Sequence, residues 1–438
     1  MPKPELLSPI QDFTSLQAAI QAGADAVYFG IRGFNMRAGA KNFNVNDLKK
    51  ITKICHKNNI KAYLAINIII YQNELKKVEN ILKKAKIAKI DAIICWDMAV
   101  LQMARKLGHE IHLSTQASVA NSESAEFYKK IGVKRIILAR ECSLQDIKKI
   151  NKQIPAYRQA GFDSAQDDIA LELEIFIHGA MCVSVSGRCF LSQFNYGKSA
   201  NRGECSQPCR RKYLIKEVSG SSEFEIGEDY ILSPKDLCAL PFIEKLIEAG
   251  ITAFKIEGRN RSPEYVKTVT SVYREIIDYY FKKKSEITCP PVPGFGRRGN
   301  QKLGKKFNQE FEELKKDLMR ELETVYNRGF SSGFYLGKPI NEWTHSYGSQ
   351  AKERKIHIGK IKHFYSKISV AEIEIQANKV LKIKDEIIIL GPTTGILRQK
   401  IDSMEIEHKQ IKKTEQNDVV AIKLNKLVRA NDEVYKII

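Results

Sequence analysis

Two kinds of apolar segment alternate along the first 260 residues of the chain. Amphipathic stretches with helical period end at glycine or asparagine, and short runs rich in valine, isoleucine and leucine follow them. Glycine commonly follows a helix end, and such runs are typical of buried parallel strands. Eight strands alternating with helices predict a (β/α)8 barrel of the triosephosphate-isomerase type, with a doubly wound open sheet as the alternative. The runs are PELLSP, AVYFG, KAYLAIN, AIICWD, EIHLSTQ, RIILARE, LEIFIHG and AFKIEGR.

Polar residues stand at the carboxyl ends of these predicted strands, although the strand interiors are apolar. Active sites of (β/α)8 barrels lie at that end, so the polar residues together predict a catalytic bowl. Any one of them taken alone is more often a buried hydrogen-bonding residue. They are Asn67, Asp97, Gln116, Arg140, Glu141, His178, Glu257 and Arg259.

The predicted barrel, residues 1–283, ends with a long helix. That helix begins at Ser262-Pro263-Glu264, a capping residue followed by proline at the first helical position, and we expect it to end near Phe281. The basic stretch GRRGNQKLGKK, residues 296–306, follows a proline-rich segment and predicts a linker or mobile arm.

Two further regions complete the predicted organisation. A helix across Gln309 to Tyr326 completes a linker-and-helix region at residues 284–345. From about Lys355 the chain changes to short alternating runs such as KISVAEIEI and NDVVAIKL. Such runs predict a small all-β, barrel-like domain over residues 346–438.

The net charge of the chain indicates which class of binding partner it suits. The 438 residues carry 71 Lys and Arg against 51 Asp and Glu, a formal net charge of +20. Such a surface suits a polyanion such as RNA. The plainer explanation of the net charge is a lysine-rich composition whose charged faces are simply solvated. No run of about 18 apolar residues predicts a membrane span, and MPKPELLSPI lacks the pattern of a signal peptide, so we expect a cytoplasmic protein.

Five of the nine cysteines follow the predicted strand LEIFIHG within one segment: Cys182, Cys189, Cys205, Cys209 and Cys238. Cytosolic proteins rarely keep disulfides, and four thiolates form a closed site for zinc or for an iron–sulfur cluster. Structural zinc sites usually contain two closely spaced pairs, whereas only Cys205 and Cys209 are closely spaced here. The spacing therefore favours an iron–sulfur cluster, with zinc as the alternative.

Spacing does not decide the fourth ligand. Cys182, Cys189 and Cys205 are common to any arrangement, and the fourth is either Cys238 or Cys209. The remaining cysteines are expected to serve packing: Cys55, Cys95, Cys142 and Cys289.

The segments EIFIHGAMC and SGRCFLS resemble the signature of the collagenase-like peptidases of unassigned catalytic type. Better-understood members of that family resemble oxygen-independent hydroxylases with a [4Fe–4S] cluster. One branch, the tRNA hydroxylation proteins, makes 5-hydroxyuridine at the wobble position with prephenate as hydroxyl source, and sister branches hydroxylate a ribosomal RNA cytidine or ubiquinone precursors. The trailing β domain and SPKDLC make the chain most similar to the tRNA branch. Further matching segments are ELLSP, ADAVYFG, FNMRAGAKNF, HLSTQA, LARE, NRGECSQPCR, FKIEGR and VYNRGFSSGFYLGKP.

The resemblance implies a set of site residues. Cys182, Cys189, Cys205 and Cys238 would hold the cluster, with Cys209 as the alternative fourth ligand. The loop FNMRAGAKNF follows the second strand and is expected to reach the same mouth. Arginines would bind the carboxylates of a prephenate-like acid, while the basic arm and the β domain would hold tRNA or another RNA. The donor-binding arginines are Arg37, Arg140 and Arg259, and the candidate catalytic residues are Arg37, Asn42, Gln116, His178, Glu257 and Arg259.

Two other functions compete with RNA hydroxylation. A metalloprotease would need H-E-x-x-H, which is absent, and GFSSG around Ser331 matches the serine-hydrolase letters but follows a helix end. Glu174 and His178, four residues apart, would form the acid–base pair of such a peptidase. The third hypothesis is a binding module, in which a structural cluster or zinc supports a basic surface that recruits RNA or a protein.

Overall fold

The computed structural model describes residues 2–154, 170–213, 230, 232–288, 297–340, 342–376 and 378–438. Nine strands form its N-terminal part, and each of the eight barrel strands coincides with a predicted run. They are β1 Glu5–Pro9, β2 Ala26–Gly30, β3 Lys61–Ala65, β4 Ala92–Cys95, β5 Ile111–Leu113, β6 Arg135–Ile137, β7 Glu172–Gly179, β8 Asp236–Cys238 and β9 Ala253–Ile256.

Eight of these strands close into a parallel barrel. β1 pairs with both β2 and β9, and β9 also pairs with β7, so Phe254 lies opposite Leu6 on one side and Ile175 on the other. β8 is outside the ring and runs antiparallel to β7. The predicted (β/α)8 barrel is confirmed, and the open doubly wound sheet is excluded.

Helices alternate with the strands and cover the barrel. Side chains fix several of their first turns: Asp12 and Asp97, for example, accept hydrogen bonds from amides of the helices that follow them. None of the helices that the structure describes has the length and apolar character needed to cross a lipid bilayer. The helices are α1 Phe13–Gln21, α2 Leu48–Lys57, α3 Leu75–Ile87, α4 Met98–Lys106, α5 Ser122–Lys130, α6 Leu144–Gln153, α7 Leu191–Tyr196, α8 Ile243–Glu248, α9 Pro263–Thr288 and α10 Arg297–Thr324.

The helices after the barrel differ from the expectation. α9 continues to Thr288, past the expected boundary at residue 283, and most of the stretch expected to be a linker at 296–306 belongs to α10. The Tyr279 ring stacks on Phe307 and Phe311 at 6.4 and 6.1 Å, which joins the two helices side by side. Lys, Arg and Gln are also good helix formers, so the basic composition does not by itself break a helix. Cys289 lies outside the described residues.

Beyond α10 the chain is all β. After β10 (Phe330–Ser331), which pairs with β8, the strands are β11 Lys355–Tyr365, β12 Val370–Ile375, β13 Glu386–Gly391, β14 Gly395–Lys400, β15 Glu405–Ile406, β16 Lys409–Gln410, β17 Val419–Lys423 and β18 Glu433–Ile437. Those from β11 onward form one antiparallel sheet in the order β14-β13-β18-β11-β12-β17-β15-β16, with an apolar core of its own. This sheet confirms the predicted all-β C-terminal part. It contacts the barrel where the Ile396 amide donates to Gln21 Oε1 at 3.1 Å.

A layer of paired charges fills part of the barrel interior. Glu174 on β7 is fully buried, and it accepts a 2.7 Å bond from Lys255 Nζ and a 3.3 Å bond from Arg135 Nη1. Arg135 also contacts Glu5 and Glu172, both at 2.6 Å. Buried charges need such partners because burial strips them of water. Glu174 is therefore committed to this ionic layer and unavailable to pair with His178.

Candidate functional site

The cysteine-rich segment folds over the carboxyl ends of the barrel strands. It leaves β7 at Gly179 and lies against the loop after β2, where the Ala38 amide donates to the Gly203 carbonyl at 2.9 Å. Gly203 has φ +88°, and a Cβ there would stand 2.2 Å from the Asn35 carbonyl oxygen. Only glycine allows this close contact, which brings the loop and the cysteine segment together as expected.

Four cysteines line one cavity of about 180 Å³ at this end of the barrel: Cys182, Cys189, Cys205 and Cys209. We call it the cysteine cavity. Burial raises the pKa of Cys209 to about 11, the Arg210 charge opposes that rise, and the other three cysteines add to it. Four thiols at one cavity form the complete donor set of a closed thiolate site.

Backbone amides already point at three of these sulfurs. The Ser184 amide lies 3.5 Å from Cys182 Sγ, the Leu191 amide 3.3 Å from Cys189 Sγ, and the Gln207 amide 3.4 Å from Cys205 Sγ. Each donor is two residues after its cysteine. Such hydrogen bonds stabilise negative charge on sulfur, and they tune iron–sulfur clusters.

Among the described residues, no group of three or more His, Cys, Asp or Glu side chains stands close enough to hold one metal ion. Four thiolates are the ligand set both of a structural zinc site and of an iron–sulfur cluster, so the choice between zinc and a cluster stays a prediction.

Cys238, the expected fourth ligand, does not line the cysteine cavity. It is 2% exposed on β8, and its sulfur lies 3.8 Å from both the Tyr273 hydroxyl and Met319 Sδ. Burial raises its pKa to about 11, and none of the four cavity cysteines contributes to that shift. The structure brings Cys209 to the other three cysteines and leaves Cys238 apart from them.

A smaller cavity of about 50 Å³ lies at the strand ends and shares lining residues with the cysteine cavity. We call it the barrel-end pocket. Four of its lining side chains are cations. Among the described residues that line it, Glu257 is the one carboxylate. The cations are Arg37, Arg140, Lys255 and Arg259. This charge balance suits an anionic ligand.

Arg37 and Glu257 form an ion pair between the two cavities. Arg37 Nη2 and Nε lie 2.9 and 3.2 Å from Glu257 Oε1. Burial would raise the pKa of Glu257, but Arg37, Arg140 and Arg261 together hold it below its usual value. Glu257 is therefore ionised, and it orients the Arg37 guanidinium.

The other expected arginines, Arg259 and Arg140, also line the pocket, where Arg259 is buried and Arg140 is half-buried. Arg259 is 5% exposed, and burial lowers its pKa to about 10, so it stays charged near neutral pH. Its Nη1 donates to Asn35 Oδ1 at 3.1 Å. Arg140 Nη1 donates to the Ala180 carbonyl at 2.6 Å, and its guanidinium lies 3.9 Å from the Phe176 ring centre. Both arginines thus stand where the sequence places them.

Gln116 and Asn42 have different positions. Gln116 lines both cavities, and its Oε1 accepts a hydrogen bond from the Ser114 hydroxyl. Asn42 does not line either cavity. It holds the loop after β2 in place, because its Nδ2 donates to the carbonyls of Arg37 and Ala40 at 2.8 and 2.9 Å. Asn42 is a positioning residue for Arg37 rather than a catalytic one.

His178 lies behind the site instead of inside it. Its Nδ1 is 3.3 Å from the Tyr273 hydroxyl on α9, and its ring packs against Tyr265 and Phe330. It lines neither cavity. Burial, aided by the Arg261 charge, lowers its pKa to about 3, so it is neutral. The side chain faces α9, next to a shift in the β7–β9 register between Phe176 and His178. This position gives no contact with either cavity, and a catalytic role for His178 stays a prediction.

The GFSSG segment around Ser331, which matches the serine-hydrolase motif, also differs from a serine-hydrolase site. Ser331 is buried on β10, and its Oγ accepts a 3.0 Å bond from the Gly333 amide. In the described residues no histidine nitrogen is hydrogen-bonded to this hydroxyl, so it has no base to activate it.

Sequence reasoning missed Lys255 and Tyr28. Lys255 Nζ lies 4.4 Å from the Tyr28 ring centre, and the Tyr28 hydroxyl donates to the Ile256 carbonyl at 2.8 Å. The alternation of Lys255, Glu257 and Arg259 in AFKIEGR places all three on one face of the strand, which is the signal that could have found Lys255.

Comparison with known proteins identifies the family. The model of peptidase family U32 matches residues 11–345. The chain belongs to this family. It is 39% identical to a protein named collagenase from Porphyromonas gingivalis, over 99% of this chain and 97% of that one. It is 31% identical to tRNA hydroxylation protein P1 of Bacillus subtilis, over 89% of this chain and 84% of that one. It is 35% identical to the 23S rRNA 5-hydroxycytidine C2501 synthase of Escherichia coli, over 65% of this chain but 40% of that protein.

Proposed function

We propose that this U32-family protein hydroxylates RNA with a [4Fe–4S] cluster bound by Cys182, Cys189, Cys205 and Cys209. The observation that carries the proposal is the placement of these four thiols on a cavity that adjoins a cationic pocket at the barrel end. Three amide–sulfur hydrogen bonds support it. The names of the Bacillus and Escherichia relatives support RNA as the substrate.

The most specific form of the proposal is conversion of the tRNA wobble uridine to 5-hydroxyuridine. The tRNA-hydroxylating relative supports this choice over ribosomal RNA, because its similarity covers 84% of its own length. The ribosomal RNA relative is covered over 40%. A quinone precursor is a less suitable substrate, because the net charge of +20 favours a polyanion.

A prephenate-like acid is the proposed hydroxyl donor. Lys255 is paired with Glu174, which leaves three arginines against Glu257 in the barrel-end pocket. An acid with two carboxylates would therefore balance the charge there. Arg37 and Arg140 both line the two cavities, and we assign the clamp to Arg37 because Glu257 orients its guanidinium. Glu257 fixes its orientation through the ion pair.

The protein residues would bind and orient the two substrates. The cluster would supply the iron chemistry that hydroxyl transfer without oxygen requires. Arg37 and Arg140 line both cavities, so a donor held by them would lie next to the thiolates. Lys255 lines the pocket and joins it to the buried ionic layer through its pair with Glu174.

Nucleoside analysis tests the proposal. In a deletion strain free of redundant enzymes, mass spectrometry of tRNA should show loss of 5-hydroxyuridine-type nucleosides. Wild-type protein should restore them and Cys205→Ala should not, while the exposed-surface variant Phe127→Ala should restore them. Unchanged nucleosides in the deletion strain would refute RNA hydroxylation of this kind. Anaerobically purified protein with zinc and no sulfide would refute the cluster.

Peptide cleavage is the second candidate, because the relative named collagenase is similar across nearly the whole chain. Among the described residues no histidine is hydrogen-bonded to Ser331, and Glu174 is bound into the ionic layer, so we expect no hydrolysis of collagen peptides by the purified protein. Cleavage that disappears in both Ser331→Ala and His178→Ala would instead establish a peptidase.

A further inference from the structure

Exposed aromatic rings accompany the cysteine cavity. Phe194 on α7 is 85% exposed, and Phe190 and Tyr196 are also exposed. The Phe190 and Phe194 rings lie 6.0 Å apart, and the Arg211 guanidinium lies 5.1 Å from the Tyr196 ring centre. Together with nearby basic side chains they form a surface that we call the aromatic–basic rim. Its members are Arg188, Phe190, Phe194, Tyr196, Lys198, Arg211 and Lys212.

The rim adjoins the cysteine cavity through the chain itself. Arg188 and Phe190 flank Cys189, and Arg211 follows Arg210; Cys189 and Arg210 both line the cavity. A ligand on the rim would therefore lie next to the four thiols.

The rim has a strong excess of positive charge. Residues 182 to 213 contain six Lys and Arg and a single acidic residue, Glu204. Two of the six are engaged: Arg202 pairs with Glu74, and Arg210 donates to backbone carbonyls. The four rim cations are exposed and make no ion pair with a carboxylate in the described part of the chain. Arg188 donates to the Ser118 hydroxyl at 2.9 Å, and Arg211 lies beside the Tyr196 ring. Exposed cations next to exposed rings fit a ligand with both anionic groups and flat apolar faces.

We infer that the aromatic–basic rim binds unpaired nucleotides of an RNA, with bases stacked on Phe190, Phe194 and Tyr196 and phosphates at the rim cations. Single-stranded segments are recognised in this way because their bases are free to stack on aromatic side chains. Stacking of neighbouring bases would leave the target base directed at the cysteine cavity. The inference rests on the proposed function, and it assigns the RNA to this rim rather than to the basic arm or the β domain.

RNA binding by the full-length, anaerobically purified protein tests the rim. The probe is a fluorescently labelled oligouridine of about twelve nucleotides, followed by anisotropy, with an RNA duplex for comparison. Phe194→Ala should weaken binding roughly 5- to 100-fold, because each stacked base is lost with its ring. Arg211→Ala should weaken binding and reduce its salt dependence. The matched control is Phe127→Ala on α5, which is also an exposed phenylalanine, 54% exposed, and should bind like wild type.

The outcomes separate the rim from the proposed function. Iron and sulfide contents equal to wild type show that a variant is folded. If these contents fall in Phe194→Ala, Phe190→Ala is used in its place. Weaker binding by the rim variants, together with unchanged nucleosides in the deletion strain, would keep the rim and refute hydroxylation. Equal binding of the oligouridine by wild type, Phe190→Ala and Phe194→Ala would overturn the assignment of RNA to the rim. A preference of wild type for the duplex, or no binding of the oligouridine by wild type, would overturn it as well.

Discussion

Replacing Cys209 and Cys238 separately decides which thiol completes the proposed cluster. Cys209→Ala removes a thiol that lines the cysteine cavity, so iron and sulfide should fall well below the wild-type contents. Cys238→Ala removes a thiol that faces Tyr273 and Met319, so both contents should match wild type.

The stability cost of Cys238→Ala follows from its surroundings. The side chain is 2% exposed, so the substitution leaves a small cavity where one sulfur packed. Loss of one buried methylene-sized group costs about 1 kcal/mol, plus a small term for the cavity. In a chain of 438 residues this should lower the melting temperature by roughly 2 °C or less.

A second buried cysteine provides the matched control. Cys95 on β4 is fully buried and far along the chain from the cysteine segment. Cys95→Ala should therefore resemble Cys238→Ala in both melting temperature and metal content. The assay is iron and sulfide analysis with the visible absorption spectrum, on proteins purified without oxygen. If Cys238→Ala loses the cluster while Cys209→Ala and Cys95→Ala retain it, the reasoning from cavity lining is refuted.

Three further predictions concern the barrel and its pocket. Arg135→Met should destabilise the protein by about 3–5 kcal/mol in thermal unfolding, because it removes one of the two cations that contact buried Glu174. Lys61→Met removes a largely exposed cation from half-buried Glu5 and should cost about 1 kcal/mol or less. The pKa of His178 falls from 6.5 to about 3 on folding, so the unfolded state binds the extra proton between these values. Stability should therefore fall by ~1.4 kcal/mol for each unit by which the pH decreases within that window, and less steeply in His178→Gln. Arg37→Lys should weaken calorimetric binding of a prephenate-like dicarboxylic acid about tenfold, since a lysine offers no bidentate contact; equal binding would exclude Arg37 as the clamp.

The barrel was predictable because its signals are local. Each strand is a short buried run, and glycine or asparagine marks the preceding helix end, so all eight strands were found. The join between α9 and α10 is not local in this sense. It depends on the contact of Tyr279 on α9 with Phe307 and Phe311 on α10. The composition of the segment that connects these residues does not reveal this contact. Glycines in the basic stretch indicated a break that this packing overrides.

The fourth thiol depends on a change of strand direction. The chain returns through β8 antiparallel to β7, with Cys238 opposite His178, and so carries Cys238 towards α9. Cys209 reaches the cavity through a short turn in which Gln207 has φ +54°. Neither the antiparallel return nor the left-handed turn can be inferred from cysteine spacing, which is why spacing left both ligands open.

His178 illustrates the same limit within a single strand. Regular alternation would place Glu174, Phe176 and His178 on one face of β7, and the first two do face the barrel interior. The pairing of β7 with β9 shifts register between Phe176 and His178, and the histidine ring faces α9. Lys255, Glu257 and Arg259 keep the alternation across the barrel end and all line the pocket. Inward-facing residues were therefore predictable where these two barrel strands stayed regular, and His178, which follows the register shift, lines neither cavity.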